Sequence, residues 1–162
     1  MPKTESQRPE MAGSTDRRTP NQAPQAGARH LPRREPAPVL DQRFDSASLL
    51  ALRSAIVAHA GTSTVGDDLV EEMVLVAHEL ATNAVRHGGG AGRLRLWTTD
   101  GRLWCEVSDG GPGLPDPTTI GTTLPAPDTL GGRGLWIARQ MADLTITATT
   151  AGTTITAAIP KR

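Results

Sequence analysis

The sequence is short of cysteine, of lysine and of long apolar runs, and each shortage narrows the reading. One cysteine in 162 residues, Cys105, excludes a disulfide scaffold and any multi-cysteine zinc site. No window approaches the ~18 consecutive apolar residues of a spanning helix, and the first residues lack the apolar core of a secretory signal peptide. The expectation is therefore a soluble, cytoplasmic protein with no membrane partner. Lysine occurs only at Lys3 and Lys161, so the Gly-Lys-Ser/Thr of a phosphate-binding P-loop is absent. The strand–glycine–helix order of a dinucleotide fingerprint is missing as well.

Charge of one sign is also lacking, but the zero is a cancellation: 17 basic groups stand against 17 acidic ones. Residues 1–38 carry a net +3, seven of the thirteen prolines, and only three strongly apolar residues, Met1, Met11 and Leu31. Such a segment cannot offset its ordering entropy by burial, so a disordered tail is expected over 1–38. Residues 39–162 carry a net −3. About 120 residues is one ordinary domain with room for a real core. Its mildly acidic balance argues against direct nucleic acid binding.

Within 39–162, residues Val39–Phe44 read as a first strand. A helix follows from an N-cap at Ser46 or Ser48, with Leu49, Leu52, Ile56 and Val57 as its apolar stripe. It should stop at Gly61 in a left-handed cap. Leu69, Met73, Val76, Leu80 and Ala84 recur at spacings of three and four, the mark of one buried helical face. Asp67, Asp68, Glu71 and Glu72 complement the dipole at that helix's start, and Gly88-Gly89-Gly90 ends it near residue 87. Two hairpins are expected. The first pairs Arg93–Thr98 with the alternating Leu103, Cys105 and Val107 across Asp100-Gly101; the second pairs Leu144–Thr149 with Thr153–Ile159 across Ala151-Gly152. Between them lies a long glycine- and proline-rich stretch, Asp109 to Gly134, of the kind that serves as a functional loop or lid, followed by a short helix, Leu135–Met141.

Three groups of residues could carry chemistry. Glu79, Asn83 and His87 stand at successive i, i+4 positions of the second helix and so share one stripe. A carboxylate beside an amide can orient a hydroxyl or hold a hard cation, although on these three residues alone the plainer reading is the solvated side of an amphipathic helix. Asp109-Gly110-Gly111-Pro112-Gly113 follows directly on a strand. It reads either as a carboxylate waiting for a ligand amino group, with glycines letting the backbone approach, or as a plain turn. Gly131-Gly132-Arg133-Gly134 opens a helix, where backbone N–H groups suit a phosphate and Arg133 adds a charge-assisted donor; the alternative is a flexible helix start.

The order of these groups is more specific than any one of them, and it resembles the Bergerat-type ATP-binding domain of the GHKL superfamily over roughly residues 40–160. Glu79-Leu80-Ala81-Thr82-Asn83-Ala84-Val85-Arg86-His87 looks like its N box, Asp109–Gly113 like its first glycine box, and Gly132-Arg133-Gly134-Leu135 like its second. Gly152-Thr153 resembles its closing Gly-Thr element. The wording of the N box and of Gly-Arg-Gly-Leu-Trp is most similar to the small single-domain anti-sigma-factor serine/threonine kinases.

The resemblance implies an α/β two-layer sandwich, a mixed and mostly antiparallel sheet with helices on one face. It implies ATP and Mg²⁺ as cofactors. Asn83 would ligate the Mg²⁺. Asp109 would accept the adenine amino group, supported by Thr153. Gly111 and Gly113 would let the chain pass the base and hinge the lid. Gly132, Gly134 and the adjoining Leu135 would form the phosphate end. Glu79 would be the general base, with His87, Arg86 and Arg133 as phosphate-side helpers. The implied partners are an anti-anti-sigma protein of the STAS type as phosphoacceptor, a sigma factor to be sequestered, and a second copy of the chain in a homodimer. With only 1–38 before the domain and no phosphoacceptor hairpin there, transfer to another protein is expected. The alternative is a non-catalytic module in which ATP orders the lid and the ordered protein binds a regulator. Cys105 and the tryptophans Trp97, Trp104 and Trp136 read as packing residues rather than as parts of the site.

Overall fold

Eight elements follow one another: β1 (Leu40–Asp45), α1 (Leu49–Ala60), α2 (Asp67–His87), β2 (Ala91–Thr99), β3 (Arg102–Asp109), α3 (Arg133–Met141), β4 (Asp143–Thr149) and β5 (Gly152–Ala158). The computed structural model describes residues 36–62, 66–114, 116–126 and 132–159, all within the unit Arg34–Arg162. The expected tail lies outside the described residues except for Pro36, Ala37 and Pro38, and so does Gly131.

The strands form one sheet in the order β1-β2-β3-β5-β4. All four pairings are antiparallel, so the mixed sheet expected from the sequence narrows to an antiparallel one among the described residues. Register places Leu94 opposite Val107, Leu96 opposite Cys105, and those two β3 residues opposite Ile155 and Ala157. Because side chains alternate across a strand, these apolar residues share one face. That face is buried against the helices in a single core with Leu52, Ile56, Met73, Val76 and Leu80. The result is a two-layer α/β sandwich with its helices on one side.

Local chemistry explains the joints. Asp100 and Gly101 both take positive φ, 53° and 71°, the geometry of the two-residue hairpin turn that matches strand twist. α2 buries Val70, Met73, Val74, Val76, Ala77, Leu80, Ala81 and Ala84, a wider band than the five-residue stripe read from the sequence. Truncating Leu80 to alanine is expected to cost about 2–5 kcal/mol. Ser48 stands at the N-cap of α1, but its hydroxyl does not cap the helix. It bonds Asp45 Oδ1 instead, at 2.8 Å, closing the turn after β1. Gly61 corrects an expectation: it is right-handed (φ −65°), not left-handed. The helix end is closed by the Gly61 N–H to Val57 and by the Thr62 hydroxyl donating to the His59 carbonyl at 2.7 Å, so no left-handed residue is needed.

The sheet's other face carries polar groups and two tryptophans. Trp97 and Trp104 are direct cross-strand partners, stacked with centroids 6.1 Å apart and planes 8° from parallel. Beside them Arg95 pairs with Glu106 at 2.7 Å, and Arg93 clasps Asp41 through two bonds of 2.7 and 2.6 Å. Cys105 is fully buried, and burial pushes its thiol pKa up, leaving an inert core residue. Among the described residues no helix is long and apolar enough to cross a membrane.

Candidate functional site

A cavity of about 530 Å³ opens between the C-terminal half of α2, the ends of β3 and β5, the segment after β3 and the start of α3. Its floor is apolar, built from Leu80, Ala84, Val107 and Ile155. The buried sheet face thus continues into the cavity, which suits the faces of a planar apolar ring.

Polar groups enter from two sides. At the sheet end Asp109 closes β3. Its Oδ1 accepts the Gly111 N–H at 3.0 Å and the Thr153 N–H at 3.3 Å. Oδ2 has no hydrogen-bond partner among the described residues, which leaves one carboxylate oxygen as an acceptor for a ligand. Thr153 is the single buried polar residue among those described, and it lines the cavity. This corner is packed backbone to backbone. A β-carbon added at Gly88 would strike the Asp109 carboxyl group, and one added at Gly111 would meet Gly88 Cα at 2.6 Å. Gly113 takes φ +79° and presses against the Thr149 carbonyl, a position that needs glycine for both reasons.

At the other end, Gly132 is the left-handed N-cap of α3 (φ 81°) and lines the cavity with Leu135. The α2 stripe meets this helix start. A β-carbon at Gly134 would collide with Glu79 Oε2 and lie 3.5 Å from Asn83 Nδ2. A carboxylate and an amide are therefore gathered at a helix N-terminus, whose backbone N–H groups attract an anion.

Of the residues singled out by sequence, Asn83, His87, Asp109, Gly113, Gly132, Leu135 and Thr153 line the cavity, as does Arg86. Glu79, Gly111, Arg133 and Gly134 do not. Glu79 and Gly134 pack against each other, Gly111 braces Gly88, and Arg133 is exposed at the first turn of α3. Sequence reading missed the apolar lining, Ile120 and Ile155 above all, and the role of Gly88. Ile155 could have been found, since it alternates with Thr153 on the same strand face. Ile120 stands in no periodic pattern.

Among the described residues there is no group of three or more His, Cys, Asp or Glu able to hold a metal. Mg²⁺ does not require one: it keeps most of its waters and takes one or two protein oxygens beside substrate phosphates. Asn83, whose side-chain amide lies near the start of α3, carries one such oxygen, Oδ1, beside the Nδ2 that approaches Gly134.

A protein family described as the histidine kinase-like ATPase domain matches residues 43–159. No curated protein matches significantly. Among solved structures, the histidine kinase domain of the Erythrobacter litoralis EL346 blue-light activated histidine kinase aligns at 23% identity and TM-score 0.47, covering 76% of this chain and 65% of that one. The Erythrobacter litoralis EL346 blue-light activated histidine kinase itself aligns at 25% identity and TM-score 0.49, covering 70% and 41%. The histidine kinase domain of the E. coli osmosensor EnvZ aligns at 17% identity and TM-score 0.43, covering 79% and 92%. The chain thus spans less than two thirds of the length of the first two.

Proposed function

Because the chain belongs to the histidine kinase-like ATPase domain family, we propose that it binds Mg-ATP in the cavity between α2 and α3 and transfers a phosphoryl group to a serine or threonine of a separate protein. The observation that carries this reading is that Asn83 and Gly132 line one end of the cavity, with Glu79 and Gly134 packed next to Asn83, while Asp109 and Thr153 line the other. A carboxylate acceptor stands at one end and a phosphate-suited helix start at the other, the polarity a nucleotide requires.

In this reading Asp109 Oδ2 accepts the adenine amino group, and the apolar floor takes the ring. The backbone of Gly132 and Gly134 meets the phosphates. Asn83 would hold Mg²⁺, which would supply neutralisation of phosphate charge. The acceptor hydroxyl attacks the γ-phosphorus in line, ADP departs, and Glu79 takes the hydroxyl proton. Phosphoryl transfer asks mainly for such positioning and charge neutralisation. The serine/threonine acceptor, a STAS-type partner and sequestration of a sigma factor by a homodimer rest on the resemblance of the N box and the second glycine box to anti-sigma-factor kinases.

Incubation with γ-labelled ATP and candidate STAS proteins tests the reading. Label should appear on a partner serine or threonine and vanish with Glu79→Ala. Nucleotide binding with no phosphoprotein for any partner would leave a non-catalytic binding module instead.

A further inference from the structure

The segment after β3 returns to α3 as a self-organised turn. Asp116 Oδ1 accepts the Thr118 N–H at 3.0 Å and its hydroxyl at 2.6 Å, while Oδ2 accepts the Thr119 hydroxyl at 2.8 Å. The Thr122 hydroxyl bonds the Thr119 carbonyl at 2.6 Å. These bonds are local and hold the turn's own shape. They do not fix the turn to the rest of the protein.

Two features do fix it, both on one stripe of α3. Gly121, at φ +72°, lies so close to Leu135 that a β-carbon there would be 2.8 Å from Leu135 Cβ. One helical turn on, the Arg139 guanidinium donates from Nε to the Ile120 carbonyl at 2.9 Å and from Nη2 to the Pro117 carbonyl at 3.4 Å. These partners are 19 and 22 residues away in sequence. Ile120 is thereby set against the core, and Ile120 and Leu135 both line the cavity.

We propose that Arg139 is a positioning residue for nucleotide binding: it latches turn 116–122 onto α3 and so places Ile120 as a wall of the cavity. This rests on the ATP reading above. Arg139 does not itself line the cavity and acts through Ile120. The planar guanidinium carries donors on separate nitrogens in a fixed fork, so one side chain reaches both carbonyls at once. Without it the turn keeps its internal bonds but loses its seat, and the wall must be ordered by the ligand at the moment of binding.

The test combines ATP titration with backbone hydrogen exchange on the full chain, for the wild type, Arg139→Gln, Arg139→Lys, Ile120→Ala and the Arg139→Gln/Ile120→Ala pair. Arg139→Gln should weaken ATP about tenfold, as expected for lost hydrogen bonds to a charged group. It should speed exchange at the amides of 118–122 and leave the sheet amides unchanged. Arg139→Lys, which keeps the charge but offers its donors from a single nitrogen, should recover part of both effects. The double variant should bind no worse than about twofold below the weaker single, because both changes remove the same wall. ATP binding by Arg139→Gln within twofold of wild type, unchanged exchange at 118–122, or fully additive losses would each overturn the proposal. Failure of the wild type to bind ATP would instead sink the functional reading, while the exchange result would still decide whether Arg139 latches the turn.

Discussion

The two ends of the cavity are built from different materials. At the Asp109 end the parts are held by main chain: β3 and β5 in register, two backbone N–H groups on one carboxylate oxygen, and glycines packed at Gly88 and Gly111 with no space for a side chain. At the α3 end the parts are held by side chains, the guanidinium of Arg139 and the hydroxyls around Asp116. Main-chain registration is cooperative with the whole sheet, whereas a few partly exposed side-chain bonds open on their own. The Asp109 end is thus held by the same register that holds the sheet. The wall that Ile120 lends, held by those few bonds, can be rearranged at smaller cost.

That contrast can be broken by experiment. The largest effect should follow Asp109→Asn, which keeps Oδ1 for its two N–H partners but replaces the free acceptor with a donor. ATP affinity should fall by about 30-fold or more, since a hydrogen bond to a charged group is worth roughly 1.5–3 kcal/mol. Calorimetric titration gives the value, and retained binding would remove Asp109 from the site. Next comes Gly88→Ala, whose methyl group strikes the Asp109 carboxyl. Urea unfolding should show a loss of about 1–3 kcal/mol. Gly110→Ala, which meets nothing within 4 Å, should stay within about 0.5 kcal/mol. Equal effects would mean that the corner is not packed as described.

Asn83→Ala should leave metal-free ATP affinity within about twofold and abolish the gain from Mg²⁺, as expected if the amide oxygen is a metal ligand. A Mg²⁺ gain equal to that of wild type would place the metal elsewhere. The smallest effect concerns pH. The hydroxyls and N–H groups of Thr118 and Thr119 hold the exposed Asp116 carboxyl down to about 2 from its ordinary 3.8. A lowered pKa means that its support for the turn is fully present above pH 3.8 and is lost as pH falls through about 2. The turn should therefore be indifferent to pH between 7 and 4. A carboxyl titration by carbon NMR should find Asp116 well below the other exposed aspartates, and a midpoint near 3.8 would show the turn unformed.

Much of the fold was legible because its signals are local. Alternating Leu103, Cys105 and Val107, the Asp100-Gly101 turn and the α2 stripe each depend on neighbours a few residues away. The handedness of Gly61 was not legible: Thr62 satisfies the helix carbonyl with its hydroxyl, a choice that composition does not reveal. Among the residues lining the cavity, those in compact motifs such as Asp109 and Gly132 could be named in advance. Ile120 and Arg139 could not, since their roles arise only when a loop returns across about twenty residues to touch a helix.

In the proposed function, Asp109 reads the amino group of adenine at the corner packed by Gly88 and Gly111. The most direct measurement is a titration of the unmodified protein with ATP and with GTP under the same Mg²⁺ concentration. Guanine carries a carbonyl where adenine carries its amino group, so it meets the Asp109 carboxylate acceptor to acceptor, and GTP should bind at least about 30-fold more weakly. Equal affinity for the two nucleotides would mean that Asp109 does not read the base.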